Sequence, residues 1–427
     1  MFSWLRSARL IPAKRDKTVT AAIIVFSLFG NMLFAQNKNL DYYLNVALTN
    51  SPLLKDYQNQ VSANYIDSQR LHATLKPQVN GMANNTIAPV INGYGYDQVL
   101  SNINSFNDIV NVNQAFVGRK NLDAQYKGIN LASDSLRNAQ KLSEQDLKRT
   151  ITAQYITAYG DWQELKFYVD VNNILSNQET ILKRLAQNNV YRQTDYLTFL
   201  VTMKQQQLQL KQLQIQFRND YSMLNYLCGI FDTSTGSLDV PEITLQQLPD
   251  ASSSVFFLKY RTDSLMFAND INILKYSYRP KLNAFGNAGF SSSFLYQAYK
   301  NFGFSVGMNL NVPIYDGHQR ALQERKINLL ESTNENYKDF FTRQYDQQIV
   351  MLRQQLAGTE SLIADINEQM KYAEGLINVN GKLLETGDTK IADFVIAINN
   401  YLTAKNLLTQ NNISRMQIIN QINYWNR

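Results

Sequence analysis

From Phe302 to Ile314 the chain alternates without a break. Phe302, Phe304, Val306, Met308, Leu310, Val312 and Ile314 hold the even positions. Gly303, Ser305, Gly307, Asn309, Asn311 and Pro313 hold the odd ones. Side chains alternate across a strand, so one face of this segment is wholly apolar and the other small or polar. A strand of a soluble sandwich fits that pattern. So does a barrel strand with lipid outside and water inside, which spans a bilayer in about 10 residues. After residue 35 no apolar run reaches the ~18 residues of a spanning helix. A membrane crossing in that part has to be a closed barrel, because lipid tolerates no open sheet edge.

Residues 1–35 predict a secretory signal. Arg6, Arg9, Lys14, Arg15 and Lys17 form a basic region, Val19 to Phe29 an apolar run, and Leu33-Phe34-Ala35 a small-residue cleavage site before Gln36. With Asp16, this segment carries five basic residues and one acid, so it supplies +4 of the formal +6. The remainder is nearly neutral, and the basic balance is no argument for nucleic-acid binding. Cys228 is the only cysteine. An intrachain disulfide is excluded, and no cysteine follows the signal to carry a lipid.

The rest of the chain reads as two copies of one plan. Lys76-Pro77-Gln78-Val79-Asn80 with Asn84 matches Arg279-Pro280-Lys281-Leu282-Asn283 with Asn287. Asn111 to Phe116 matches Asn309 to Ile314, and Asp195-Tyr196-Leu197 matches Asp393-Phe394-Val395. The first repeat is expected over 36–231, a linker over 232–253 and the second repeat over 254–427. Each repeat starts with a helix, near 40–75 and near 254–279, which an X-Pro step stops. Two strands follow, at 78–90 and 106–117 and again at 281–294 and 302–315. The first of them alternates poorly and is held only through the repeat. No proline occurs between Pro89 and Pro241 or after Pro313. Long helical hairpins are therefore predicted, with turns at Asn188 to Thr194 and at Gly387-Asp388-Thr389. Leu200, Met203, Leu210, Leu213, Phe217, Leu224 and Leu227 mark one buried stripe. A rod of about 65 residues from Arg119 reaches about 100 Å.

Four strands do not close a barrel, and the smallest membrane barrels need about eight. Several copies must share one, and three copies with cyclic symmetry give about twelve strands. The residues thus predict a membrane β-barrel joined to long α-helical coiled-coil hairpins.

Further motifs stand in a specific order. Leu40-Asp41-Tyr42-Tyr43, Ala47-Leu48 and Asn50-Ser51-Pro52 open the chain after the signal. Arg279-Pro280 precedes a strand, Val312-Pro313-Ile314-Tyr315-Asp316-Gly317 joins strand to helix, and Gly387 to Val395 forms the second helical turn. In these the chain resembles the TolC-like outer membrane efflux protein family over essentially all of the sequence after the signal. The resemblance implies a homotrimer, with a twelve-stranded barrel in outer membrane lipid above a long periplasmic helical tunnel. It also implies work with a periplasmic adaptor and an inner-membrane pump to expel drugs, metals or proteins. By the motif at Gly387 to Val395, the aspartate ring of the closed aperture is Asp393, with Asp195 at the matching place in the first repeat. The competing reading of both is a solvated carboxylate at a helix start, favoured by the helix dipole. A second aspartate one turn on, present in some members, is replaced here by Ile396. The first strand-to-helix junction, Gln114 to Gly118, lacks the proline and aspartate of the second, Pro313, Asp316 and Gly317. The end of the chain at Arg427 predicts a small belt domain around the tunnel.

Catalytic patterns are missing. The sequence has no phosphate-binding glycine loop, no Gly-x-Ser-x-Gly and no His-Glu-x-x-His, and its two histidines, His72 and His318, stand apart. No enzyme activity, metal or cofactor is expected. The function expected is a passive exit duct for an efflux pump or type I secretion system. The alternative is a periplasmic coiled-coil structural or adhesin-like protein. In the duct reading, the loops at Asn92 to Ser105 and Leu295 to Asn301 face outside the cell, and the turns at Val190 and Gly387 face the periplasm.

Overall fold

The computed structural model describes residues 38–97, 104–232, 234–246, 254–293 and 298–426. The expected signal over residues 1–35 and the middle of both strand-connecting loops lie outside these. Among the described residues, seven α-helices and four strands follow in order. Helices α1 (Leu40–Asn50) and α2 (Pro52–Thr74) lead to strands β1 (Gln78–Ile87) and β2 (Asn104–Phe116). A hairpin of α3 (Arg119–Gln187) and α4 (Gln193–Leu227) comes next. Then α5 (Val255–Ser277) leads to β3 (Lys281–Ser292) and β4 (Phe302–Asn311), and a second hairpin joins α6 (Gln319–Thr386) to α7 (Ile391–Trp425).

The first helix is two helices rather than the one predicted. Ser51 stands before Pro52 and takes a non-helical ψ of 115°, as a residue before proline prefers. Its hydroxyl then caps α2 by accepting from the Leu54 N–H at 3.4 Å. The strands also stop earlier than their alternation suggests. β4 ends at Asn311 rather than near 315, because Pro313 has no N–H to continue a ladder.

The four strands form one antiparallel sheet in the order β1-β2-β3-β4. Among the described residues, β1 and β4 each have an unpaired edge. The pairing repeats between the halves: Asn80 faces Asn111, and the matching Asn283 faces Asn309. The register also explains why β1 alternates poorly. Val79, Gly81 and Ala83 share a face with Val112, Val110 and Asp108, so small residues stand where β4 carries large ones. On β4 that face carries Phe302, Phe304, Val306, Met308 and Leu310, between 62% and 84% exposed. The opposite face is rich in asparagine.

The helical part is built around α3, which packs on α1, α2, α4, α5 and α7. At about 1.5 Å per residue, the 69 residues of α3 and the 68 of α6 are rods of about 100 Å. Among the described residues, no helix is long and apolar enough to cross a membrane. A mid-length core gathers Tyr43, Ile151, Tyr155, Phe217, Tyr221 and Leu224. The linker is strapped over it: Leu238 is buried there, and Tyr155 donates to the Asp239 carbonyl at 2.8 Å. Asn423 donates to Thr244 O at 2.7 Å and accepts from the Gln246 N–H at 2.9 Å.

Candidate conduit and aperture

The two helical turns lie at the end of the hairpins away from the sheet, and they are built alike. α3 ends with Asn189 at φ 59°, and α6 ends with Gly387 at φ 83°. The Val190 N–H donates to Leu185 O at 3.0 Å, and the Asp388 N–H donates to Leu383 O at 2.9 Å. Both closures satisfy a carbonyl left over at a helix end. Asparagine tolerates the left-handed region well enough for the first turn. The second needs glycine twice over, since a Cβ on Gly387 would also stand 3.0 Å from Val190 Cγ1.

The structure brings these turns together. The Tyr191 hydroxyl lies 3.0 Å from both Leu384 O and Thr389 O and shares its one proton between them. Burial, with Asp388 nearby, raises that phenol's pKa. Behind it, Leu182, Phe199, Leu384, Ile391, Phe394 and Ile398 form one core drawn from all four helices. Phe199 and Phe394 stack with centroids 6.4 Å apart. Asp195 and Asp393 both occupy the first turn of their helices, and both are exposed. Each follows a basic residue, Arg192 or Lys390, that precedes its helix. Sequence reasoning picked out the two aspartates and missed Tyr191, Phe199 and Phe394, which lock the turns. The offset that matches Asp195 to Asp393 also matches Tyr196 to Phe394 and was the available signal.

At the other end of the rods the two strand-to-helix junctions differ. β2 runs into α3 through Val117 and Gly118 alone, and Gly118 caps the helix with extended backbone. The second junction needs seven residues, Val312 to His318. There Gly317 and His318 turn the chain with φ of 66° and 67°. The Asp316 carboxylate accepts from the Arg320 N–H at 2.8 Å. That bond, helped by the Tyr278 hydroxyl, lowers its pKa. Pro313, Asp316 and Gly317 thus belong to a longer joint that the two-residue joint at Gly118 has no room for. His318 serves this turn, with its ring 5.8 Å from that of Tyr315.

One acid along the rods was not singled out by its sequence. Asp161 of α3 is 6% exposed, and its Oδ2 has no partner unless it carries a proton. Gln216 donates to its Oδ1 at 2.8 Å, and Asp220 of α4 is its acidic neighbour. Burial, then Asp220, then Glu164 push its pKa from 3.8 up to about 8. An acid with a raised native pKa holds its proton in the folded state after the unfolded state has lost it. Stability therefore falls as pH rises from about 4 to about 8. Asp161→Asn keeps a donor toward Asp220, so it is expected to flatten that slope, with a gain of about 1–3 kcal/mol at the alkaline end. Thermal unfolding at pH 5 and pH 8.5 measures it. An unchanged slope would assign the effect elsewhere.

No protein-family model matches the sequence, and no curated protein matches it. Its fold does have solved counterparts. The chain resembles the CmeC outer membrane channel of Campylobacter jejuni with a TM-score of 0.72 and 12% identity, over 91% of this chain and 86% of that one. It resembles the outer membrane protein VceC of Vibrio cholerae at 0.69 and 13%, over 91% and 96%. It resembles the MtrE outer membrane channel of Neisseria gonorrhoeae in its open state at 0.69 and 12%, over 91% and 88%. The fold is therefore that of the TolC-like outer-membrane channels.

Proposed function

We propose that this chain is the outer-membrane exit duct of a tripartite efflux pump or type I secretion system, passively conducting cargo from periplasm to exterior. One observation carries the reading: a four-stranded sheet with one apolar and one amide-rich face, open at both edges, stands on helical rods of about 100 Å. A coiled-coil structural protein or adhesin has no use for such a sheet. Three copies close the edges into twelve strands with lipid outside and water inside. The rods then form a tunnel through the periplasm, with the paired turns at its inner end. Transport energy comes from an inner-membrane pump joined through a periplasmic adaptor, and the chain itself has no catalytic role. Conductance in a planar bilayer tests this. The detergent-extracted protein is expected to insert as a trimer and pass current. A stable monomer that passes none would overturn it.

In this arrangement Asp393 lines the closed aperture and favours cations, with Asp195 secondary. A ring of carboxylates in a narrow, poorly screened pore attracts cations by Coulomb forces. Asp393→Asn removes three carboxylates and leaves three copies of Lys390. Reversal potentials across a salt gradient are expected to show a several-fold loss of cation preference, with a smaller loss for Asp195→Asn. Stability should barely change, since an exposed carboxylate contributes little to folding. Unaltered selectivity with normal trimer yield would make Asp393 a solvated carboxylate only.

A further inference from the structure

The face of the sheet opposite the apolar one has an unusual chemistry. The pairing sets Asn80 beside Asn111, Asn111 beside Asn287, and Asn287 beside Ser305. One polar row thus crosses all four strands. Ser305 Oγ donates to Asn287 Oδ1 at 2.8 Å within it. Asn283 and Asn309 pair in a second row nearer the helices. Nine residues of this face are asparagines. Its one charged residue is Lys281, at the helix-side end of β3. The sheet's one acid, Asp108, points to the other face and accepts from Asn85 at 3.1 Å. The inward aromatic, Phe285, lies over Gly307, where an added Cβ would stand 2.6 Å from its ring.

Resting on the exit-duct reading, we propose that the barrel wall beyond the Lys281 level is an uncharged, carboxamide-rich lining that does not sort cargo by charge. A carboxamide offers donors and acceptors to any polar solute. It sets no electrostatic barrier of the kind that rings of charged side chains impose. Charge selection then belongs to the helical part and to the Lys281 level where it meets the sheet. The barrel passes cations, anions, zwitterions and hydroxylated solutes alike, limited by size. Asparagine in place of serine or glycine along the row also narrows the bore without adding charge.

The test reads the local potential directly. Ser305→Cys is nearly isosteric and Val306→Cys is its opposite-face neighbour; both are made in a Cys228→Ser background and reconstituted as full-length protein in lipid vesicles. Each is reacted with a cationic and an anionic methanethiosulfonate, and rates are normalised to a free thiol. Ser305→Cys is expected to react with both at a normalised ratio near one, and Val306→Cys with neither. A skew of about tenfold either way, the scale on which a charged cleft concentrates ions, would overturn the uncharged wall. Labelling at Val306 but not at Ser305 would overturn the face assignment. Asn111→Cys on β2 repeats the measurement should Ser305→Cys assemble poorly. Ser305→Cys protein that labels as expected but passes no current would fail the duct reading alone.

Discussion

Phe394→Ala is expected to loosen the paired helical turns and raise single-channel conductance several-fold at unchanged trimer yield. Phe394 is 1% exposed and stacks on Phe199, one of the α4 residues of the core that joins both hairpins. Truncating a buried phenylalanine costs about 3–5 kcal/mol, because the lost contacts leave a cavity that the surroundings refill only in part. That cost falls where both hairpins share this core, beside the Tyr191 hydroxyl that bonds Leu384 O and Thr389 O. Local opening therefore becomes much cheaper there than along α3. Proteolysis between Asn188 and Arg192 should speed up in parallel. Ile396→Ala separates core from surface in the proteolysis arm: Ile396 is 56% exposed two residues on, and such a surface change stays within about 0.5 kcal/mol. Equal conductance in wild type and Phe394→Ala would mean that this core does not hold the aperture shut.

The second large effect lies in the sheet. Gly289 of β3 and Gly303 of β4 pair with each other on the asparagine-rich face. Their surroundings differ sharply. A Cβ on Gly289 would run into the Asp108 carbonyl oxygen and the Ile109 Cα of the neighbouring strand, whereas one on Gly303 meets nothing within 4 Å. Gly289→Val must push β2 and β3 apart, and backbone cannot yield as a flexible side chain does. Loss of assembled trimer in the membrane is expected, with the chain recovered as aggregate or degraded. Gly303→Val is expected to assemble normally. Heat-resistant trimer on a gel scores both, and assembly of Gly289→Val at the level of Gly303→Val would show that β2 and β3 are less tightly apposed.

Much of the architecture was readable from the residues because its signals are local. β4 announces itself by strict alternation, and Gly387 announces a helix end because few other residues reach φ 83°. β1 is legible only by analogy, since its apolar face carries Gly81 and Ala83 opposite valine and aspartate. Of the expected α4 stripe, Met203, Leu213, Phe217 and Leu224 are buried, and Leu200, Leu210 and Leu227 are half-buried against the same cores. Yet α4 carries a second apolar series, Leu197, Val201, Leu208 and Ile215, that is more than half exposed. Periodicity alone does not separate the two, since both follow helical spacing and the second has no cover within the chain. The same ambiguity hid Phe394 beside Ile396. Asp161 was hidden for a different reason. Burial of an acid depends on which helix lies across from it, and nothing within α3 reports that.

The unpaired edges of β1 and β4 have a genetic consequence. If three copies share one barrel, as proposed, each chain supplies both a donor edge and an acceptor edge, and no copy is dispensable. A variant with an intact β1 edge and a crippled β4 edge would still enter assemblies and then prevent closure. Expressed at parity with the wild type, it would leave only about one barrel in eight built wholly from sound chains. Alleles damaging one edge should therefore be dominant, while alleles that abolish the whole sheet, and so never enter an assembly, should be recessive.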